Sequence, residues 1–175
     1  MSLAEKLRFI DEIILFRPGN SKAGRQQERK KMNIIGLDPG SCGAAVLLRE
    51  DGSTDIARFD KLTQVDITDA LSEWTLDTET PCFAYLEKVH AMPKQGVSST
   101  FKFGLNYGFL IGCLTALKIP YEFVTPNTWQ KALSCQSHGD KNVTKAKAQQ
   151  LFPHLKIIHT IADALLIAEY GRRIK

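Results

Sequence analysis

The sequence contains no apolar run approaching the roughly 18–20 residues a membrane-spanning helix needs, which argues against a membrane protein. Cysteine is sparse and scattered: Cys42, Cys82, Cys113 and Cys135 form no C-x-x-C pair. Neither a zinc site nor a disulfide framework is signalled, and a reducing cytoplasmic setting fits. Internal repeats and low-complexity tracts are missing as well, so solenoid and fibrous architectures drop out. What is there is a chain of 175 residues with 43% apolar content, long enough to bury the core of one domain.

The net charge of +4 hides an asymmetry. Residues 1–31 carry 8 Lys and Arg against 4 acids, residues 32–86 carry 3 against 10, and residues 87–175 carry 12 against 5. An acidic stretch followed by a basic one points to a face that meets a polyanion, with an unevenly charged but merely solvated surface as the alternative. Residues 1–31 read as an N-terminal extension. Leu3, Leu7, Ile10 and Ile14 make a short amphipathic stripe, and 17–31 is a polar, basic, turn-rich linker. Acids at Asp11 and Glu12 interrupt the apolar stretch and make it a poor secretory signal.

From Met32 the pattern alternates. Strands are expected at 33–37, 43–48 and 54–59, with Asp51-Gly52 as the hairpin signal between the second and third. A crossover helix follows at 65–74, a fourth strand at 82–87, a long helix at 98–118 and a fifth strand at 121–125. On the long helix Phe103, Tyr107, Leu110, Ile111 and Leu114 fall on one side as its buried face, leaving Phe101, Leu105 and Phe109 on another. A final helix covers 161–170. The expected fold is α/β, a mixed five-stranded sheet with helices on both faces.

Three acids sit where this pattern calls for burial: Asp38 and Glu87 at strand ends, and Asp163 in the first turn of the last helix. An unpaired buried carboxylate costs several kcal/mol or neutralises itself, so a trio of them asks for a shared cation. Asp38 could instead set the Pro39-Gly40 turn, and Asp163 could favour a helix start through the dipole. Glu87, at a strand end, is harder to explain structurally.

Five pieces in order carry a resemblance: GLDPG at 36–40, YLEKV at 85–89, VTPNTWQKAL at 124–133, GDKNVTKAKAQ at 139–149 and ADALLIAEYGRR at 162–173. Together with the element order they resemble the RuvC-type Holliday junction resolvases of the ribonuclease H-like superfamily, over nearly all of 32–175. The resemblance implies a metal-dependent endonuclease acting on four-way or other branched DNA, leaving 5′-phosphate and 3′-hydroxyl ends, and working as a homodimer. Asp38, Glu87 and Asp163 would hold Mg²⁺ or Mn²⁺, two ions per site. Hard oxygen ligands suit Mg²⁺, and a pair of ions about 3.5–4 Å apart both neutralises a phosphodiester and generates hydroxide near neutral pH.

Lys131, Lys141 and Lys145 fall where similar enzymes lie along the DNA backbone. The loop after Glu87 would reach the junction centre with His90 where the family uses an aromatic residue, and with Lys94 as a further contact. A fourth ligand is usual three residues before the final Asp. Here that place is Thr160, and His159 is the nearest substitute, with a helix cap at Thr160 and a surface His159 as the alternative. The GLDPGSCGAAV segment also resembles the first phosphate turn of actin-like ATPases, which need a second domain this chain is too short to supply. A junction-binding protein without catalysis is the remaining reading.

Overall fold

The computed structural model describes residues 31–76, 80–89 and 96–175. The proposed extension at 1–31 lies outside these except for Lys31, as do His90 and Lys94. The elements run β1 (Asn33–Asp38), β2 (Ala44–Leu48), β3 (Thr54–Arg58), α1 (Gln64–Leu76), β4 (Cys82–Glu87), α2 (Val97–Ala116), β5 (Tyr121–Val124), α3 (Pro126–Ala132), α4 (Lys141–Leu151) and α5 (His159–Ile174). One five-stranded sheet of order β3-β2-β1-β4-β5 results, with β1, β2 and β3 antiparallel and β1, β4 and β5 parallel. The expected elements are all present, their ends unchanged or shifted by up to four residues, the last helix running on from 170 to Ile174.

The Asp51-Gly52 connection differs in detail from a two-residue hairpin turn. Gly52 adopts the left-handed region at φ +86° while Asp51 does not. The Gly52 amide bonds to the Arg49 carbonyl and the Arg49 amide to the Ser53 carbonyl. This is the wider loop with a left-handed glycine that also suits the strand twist.

Alternation along the strands builds two apolar layers. Ile34, Val46, Tyr85 and Val124 face α3, α4 and α5. Ile35, Leu37, Leu47, Ala84 and Leu86 face α1 and α2. Helices therefore cover both faces, as expected. On α2 the buried residues are Leu110, Cys113 and Leu114, while Phe103, Tyr107 and Ile111 are half-buried. Phe101 and Leu105 are 71% and 59% exposed, whereas Phe109 packs against the core and leaves the outward stripe narrower than the sequence pattern implies.

The packing of α5 on the sheet fixes the geometry of one end. A Cβ on Gly36 would lie 2.1 Å from the Ala164 carbonyl oxygen and 2.5 Å from the Ala168 nitrogen. Only glycine on β1 allows the helix backbone this close. Asp163, adjacent to Ala164, is thereby brought beside the end of β1, two residues beyond Gly36. At the far end of α5, buried Glu169 pairs with Arg172 (2.5 Å) and Arg173 (2.8 Å).

Candidate active site

The register of the parallel pair decides where two of the carboxylates stand. Leu37 pairs with Leu86, so Asp38 and Glu87 come next, side by side where β1 and β4 end. Both have the parity of Ile34 and Tyr85, which face α5. Asp163 sits on α5 one turn in from its start at His159, rather than in the first turn. All three line one cleft of about 610 Å³, together with Gly40, Ser41, Cys42, Lys102, Lys141, His159 and Thr160.

Their electrostatics follow from crowding in a partly dry site. Burial pushes Asp38 up to about 6, helped by the Asp163 charge, while the Gly40 amide and Lys141 pull the other way. Glu87 is pushed up to about 7, chiefly by burial and then by Asp38, against a hydrogen bond from Trp129. Asp163 is raised by burial, opposed by the Thr144 hydroxyl and by the charges of Lys141 and His159. Lys141 opposes the shift in all three cases. Like charges gathered in a partly dry site raise one another's pKa, and a counter-cation would lower them.

The Asp38 turn is self-contained. Gly40 donates its amide to Asp38 Oδ1 at 3.1 Å, and Gly43 donates to the Gly40 carbonyl at 2.8 Å. Asn106 on α2 ties the turn down from the other side, donating to the Pro39 carbonyl at 2.7 Å. Both glycine amides point within the turn, the opposite of a phosphate cradle, which counts against the actin-like reading.

The sequence-expected residues divide into three groups. Asp38, Glu87, Asp163, His159 and Lys141 meet around the cleft. Lys131 is exposed in the last turn of α3 and Lys145 is half-buried on α4, and neither lines it. His90 and Lys94 lie outside the described residues. The N-cap of α5 is Ile158, with no side-chain cap bond, so Thr160 is not a cap, and both it and His159 open onto the cleft.

Sequence reasoning missed Trp129, Asn106 and Lys102. Trp129 lies inside a quoted motif but carries no titratable group to mark it. Asn106 sits on a helix face that reads as apolar.

The donor chemistry fits a hard divalent cation: three carboxylates on one cleft, raised by burial, with Asp163 Oδ1 buried and without a hydrogen-bond partner. Among the described residues no three of these side chains stand close enough together to ligate one ion as placed.

No protein-family model matches the sequence, and no curated protein matches it. Among solved structures, Thermus thermophilus RuvC is similar at a TM-score of 0.52 and 16% identity, over 82% of this chain and 96% of that one. T. thermophilus RuvC in complex with a Holliday junction substrate is similar at 0.53 and 14% identity, with the same shares covered. The class defined by sheet order and helix placement is α/β of the ribonuclease H-like kind. Within it, the chain has the fold of a RuvC-type resolvase.

Proposed function

We propose that this protein is a metal-dependent endonuclease that cuts branched DNA, with the four-way junction as its principal substrate. The observation that carries the reading is the convergence of Asp38, Glu87 and Asp163, from three separate segments, on one cleft beside Lys141. Burying three acids together is costly for a fold that has no cation to share among them. The solved complex of RuvC with a Holliday junction substrate supports the choice of substrate.

Asp38, Glu87 and Asp163 would hold Mg²⁺ or Mn²⁺, with His159 as the nitrogen donor at the start of α5. When bound, a pair of such ions neutralises the phosphodiester and supplies hydroxide near neutral pH. The remaining work belongs to the chain. Lys141, at the first position of α4 behind the Asp140 cap, offsets the clustered charge and offers a contact to the scissile phosphate. Lys131 and Lys145 lie off the cleft and would follow the DNA backbone, giving affinity and position without sequence. Products would be a 5′-phosphate and a 3′-hydroxyl. Two opposed strands of a junction require two sites related by a two-fold axis, hence a homodimer.

The second reading, a protein that binds junctions without cutting them, draws on the incomplete convergence of the three carboxylates. Side-by-side incubation of labelled four-way, Y-shaped and linear DNA with Mg²⁺ separates the two: paired nicks across the junction support the nuclease, and a stable uncut complex supports the binder.

A further inference from the structure

The indole of Trp129 is fully buried in the layer between α5 and the sheet, yet its N–H reaches Glu87 Oε1 at 2.9 Å. An indole is a donor only, so this bond has one direction. Among the described residues no hydrogen bond reaches Glu87 Oε2, and Glu87 lines the cleft. The donor itself has little freedom. It rides on a seven-residue helix with Pro126 at its start and Thr125 as its cap, the Thr125 hydroxyl accepting from the Thr128 amide. The same helix carries Gln130, whose side-chain oxygen accepts from the Ser137 amide at 3.1 Å and so holds the loop that leads to Lys141.

We propose that Trp129 is a positioning residue for the metal site: it fixes one oxygen of Glu87 from the core and presents the other, Oε2, as the ligand. This rests on the metal-dependent reading above. A carboxylate without that anchor has several rotamers to lose on binding, and losing an outer-shell partner of this type typically costs 10–100-fold in metal affinity. The hydrogen bond also stabilises the charged form of Glu87 at a place where burial and Asp38 oppose it.

The test uses the full chain and needs no DNA. Mn²⁺ binding is measured by electron paramagnetic resonance for the parent, Trp129→Phe and Glu87→Gln. Phenylalanine keeps most of the apolar volume and removes the donor. The expected result is Mn²⁺ binding weakened at least about tenfold in Trp129→Phe, in a protein that still melts cooperatively. Unchanged Mn²⁺ affinity with a lowered melting temperature would overturn the proposal, because Trp129 would then be packing alone. A parent protein that is folded and binds no Mn²⁺ would overturn the metal site and this proposal together, which distinguishes that failure from the first.

Should Trp129→Phe fail to fold, the indole resonance serves instead. The chain has two tryptophans, and Trp74 lies in the layer on the opposite face of the sheet. The Trp129 indole N–H peak, identified by its persistence in Trp74→Phe, is expected to move on Mg²⁺ addition and in Glu87→Gln, while that of Trp74 stays. A Trp129 peak indifferent to both would refute the assignment.

Discussion

Asp38, Glu87 and Asp163 act at the scale of single residues, and their charges give the sharpest expectations. Replacing any one by its amide isostere is expected to lower junction cutting by at least about a thousandfold, the range seen when one member of a catalytic unit is removed. Junction binding in a gel-shift assay is expected to be kept, since Lys131, Lys141 and Lys145 are untouched. Cutting at normal rates by Asp163→Asn would remove that residue from the site. The same groups set a stability profile. Asp38 at about 6 and Glu87 at about 7 bind protons more tightly folded than unfolded, where carboxylates titrate near 4.

Their contribution to metal-free stability is therefore full below pH about 4, falls as the pH rises through about 6 and 7, and stays low above that. Asp38→Asn and Glu87→Gln are expected to raise metal-free stability at pH 8 by on the order of 1–3 kcal/mol each, and by less at pH 5. Urea unfolding at the two pH values in chelator checks this, and an isostere less stable than the parent at pH 8 would contradict it. His159→Ala is expected to depress cutting at least about tenfold, since losing even an outer-shell partner of a metal site costs that much; unchanged cutting would take His159 out of the site.

At the scale of elements, the site depends on how closely α5 lies on β1. Gly36→Ala places a methyl group 2.1 Å from a helix carbonyl, so the helix must lift. Overpacking of this kind costs typically 1–3 kcal/mol, and because backbone rather than a flexible side chain is struck, a loss at the upper end is expected, with cutting reduced alongside. A chemical denaturation curve within about 0.5 kcal/mol of the parent, the usual range for neutral surface changes, would show that the helix packs less tightly than described.

The elements themselves were largely legible in the sequence, because strong apolar runs such as Ala44–Leu48 and the 3.6-residue spacing in α5 leave little choice of period. Local chemistry at their ends was less so. Asp163 falls a turn deeper than read because His159 and Thr160 enter the helix ahead of the apolar positions, and Asp51-Gly52 forms a wider loop since only Gly52 takes positive φ. Nothing in a linear pattern shows that Trp129 ends up against Glu87, 42 positions away. That contact depends on β4 and β5 pairing in register, Glu87 opposite Val124, with α3 folding back directly after.

For the whole molecule, the sheet end gathers the acids while the later part of the chain supplies Lys141 and Lys102 around the same cleft. Two of the three acids, Glu87 and Asp163, come from the basic segment 87–175 itself, so the cleft sets carboxylates beside lysines of the same stretch. Phe101 and Leu105, exposed on α2 near this cleft, are the surface we expect a second copy to cover. Sedimentation at micromolar concentration is expected to give a dimer, and Leu105→Glu to give a folded monomer that no longer makes paired cuts. A parent that sediments as a monomer while still cutting both strands would refute the two-site arrangement. The central claim, that the three-carboxylate cleft hydrolyses branched DNA with a divalent cation, is tested most directly by one measurement. An end-labelled four-way junction is incubated with the protein and Mg²⁺, beside a linear duplex of the same sequence and beside Asp163→Asn. Symmetric nicks are expected in the junction, none in the duplex, and none with chelator or with Asp163→Asn. Equal cutting of junction and duplex, or cutting that survives Asp163→Asn, would contradict it.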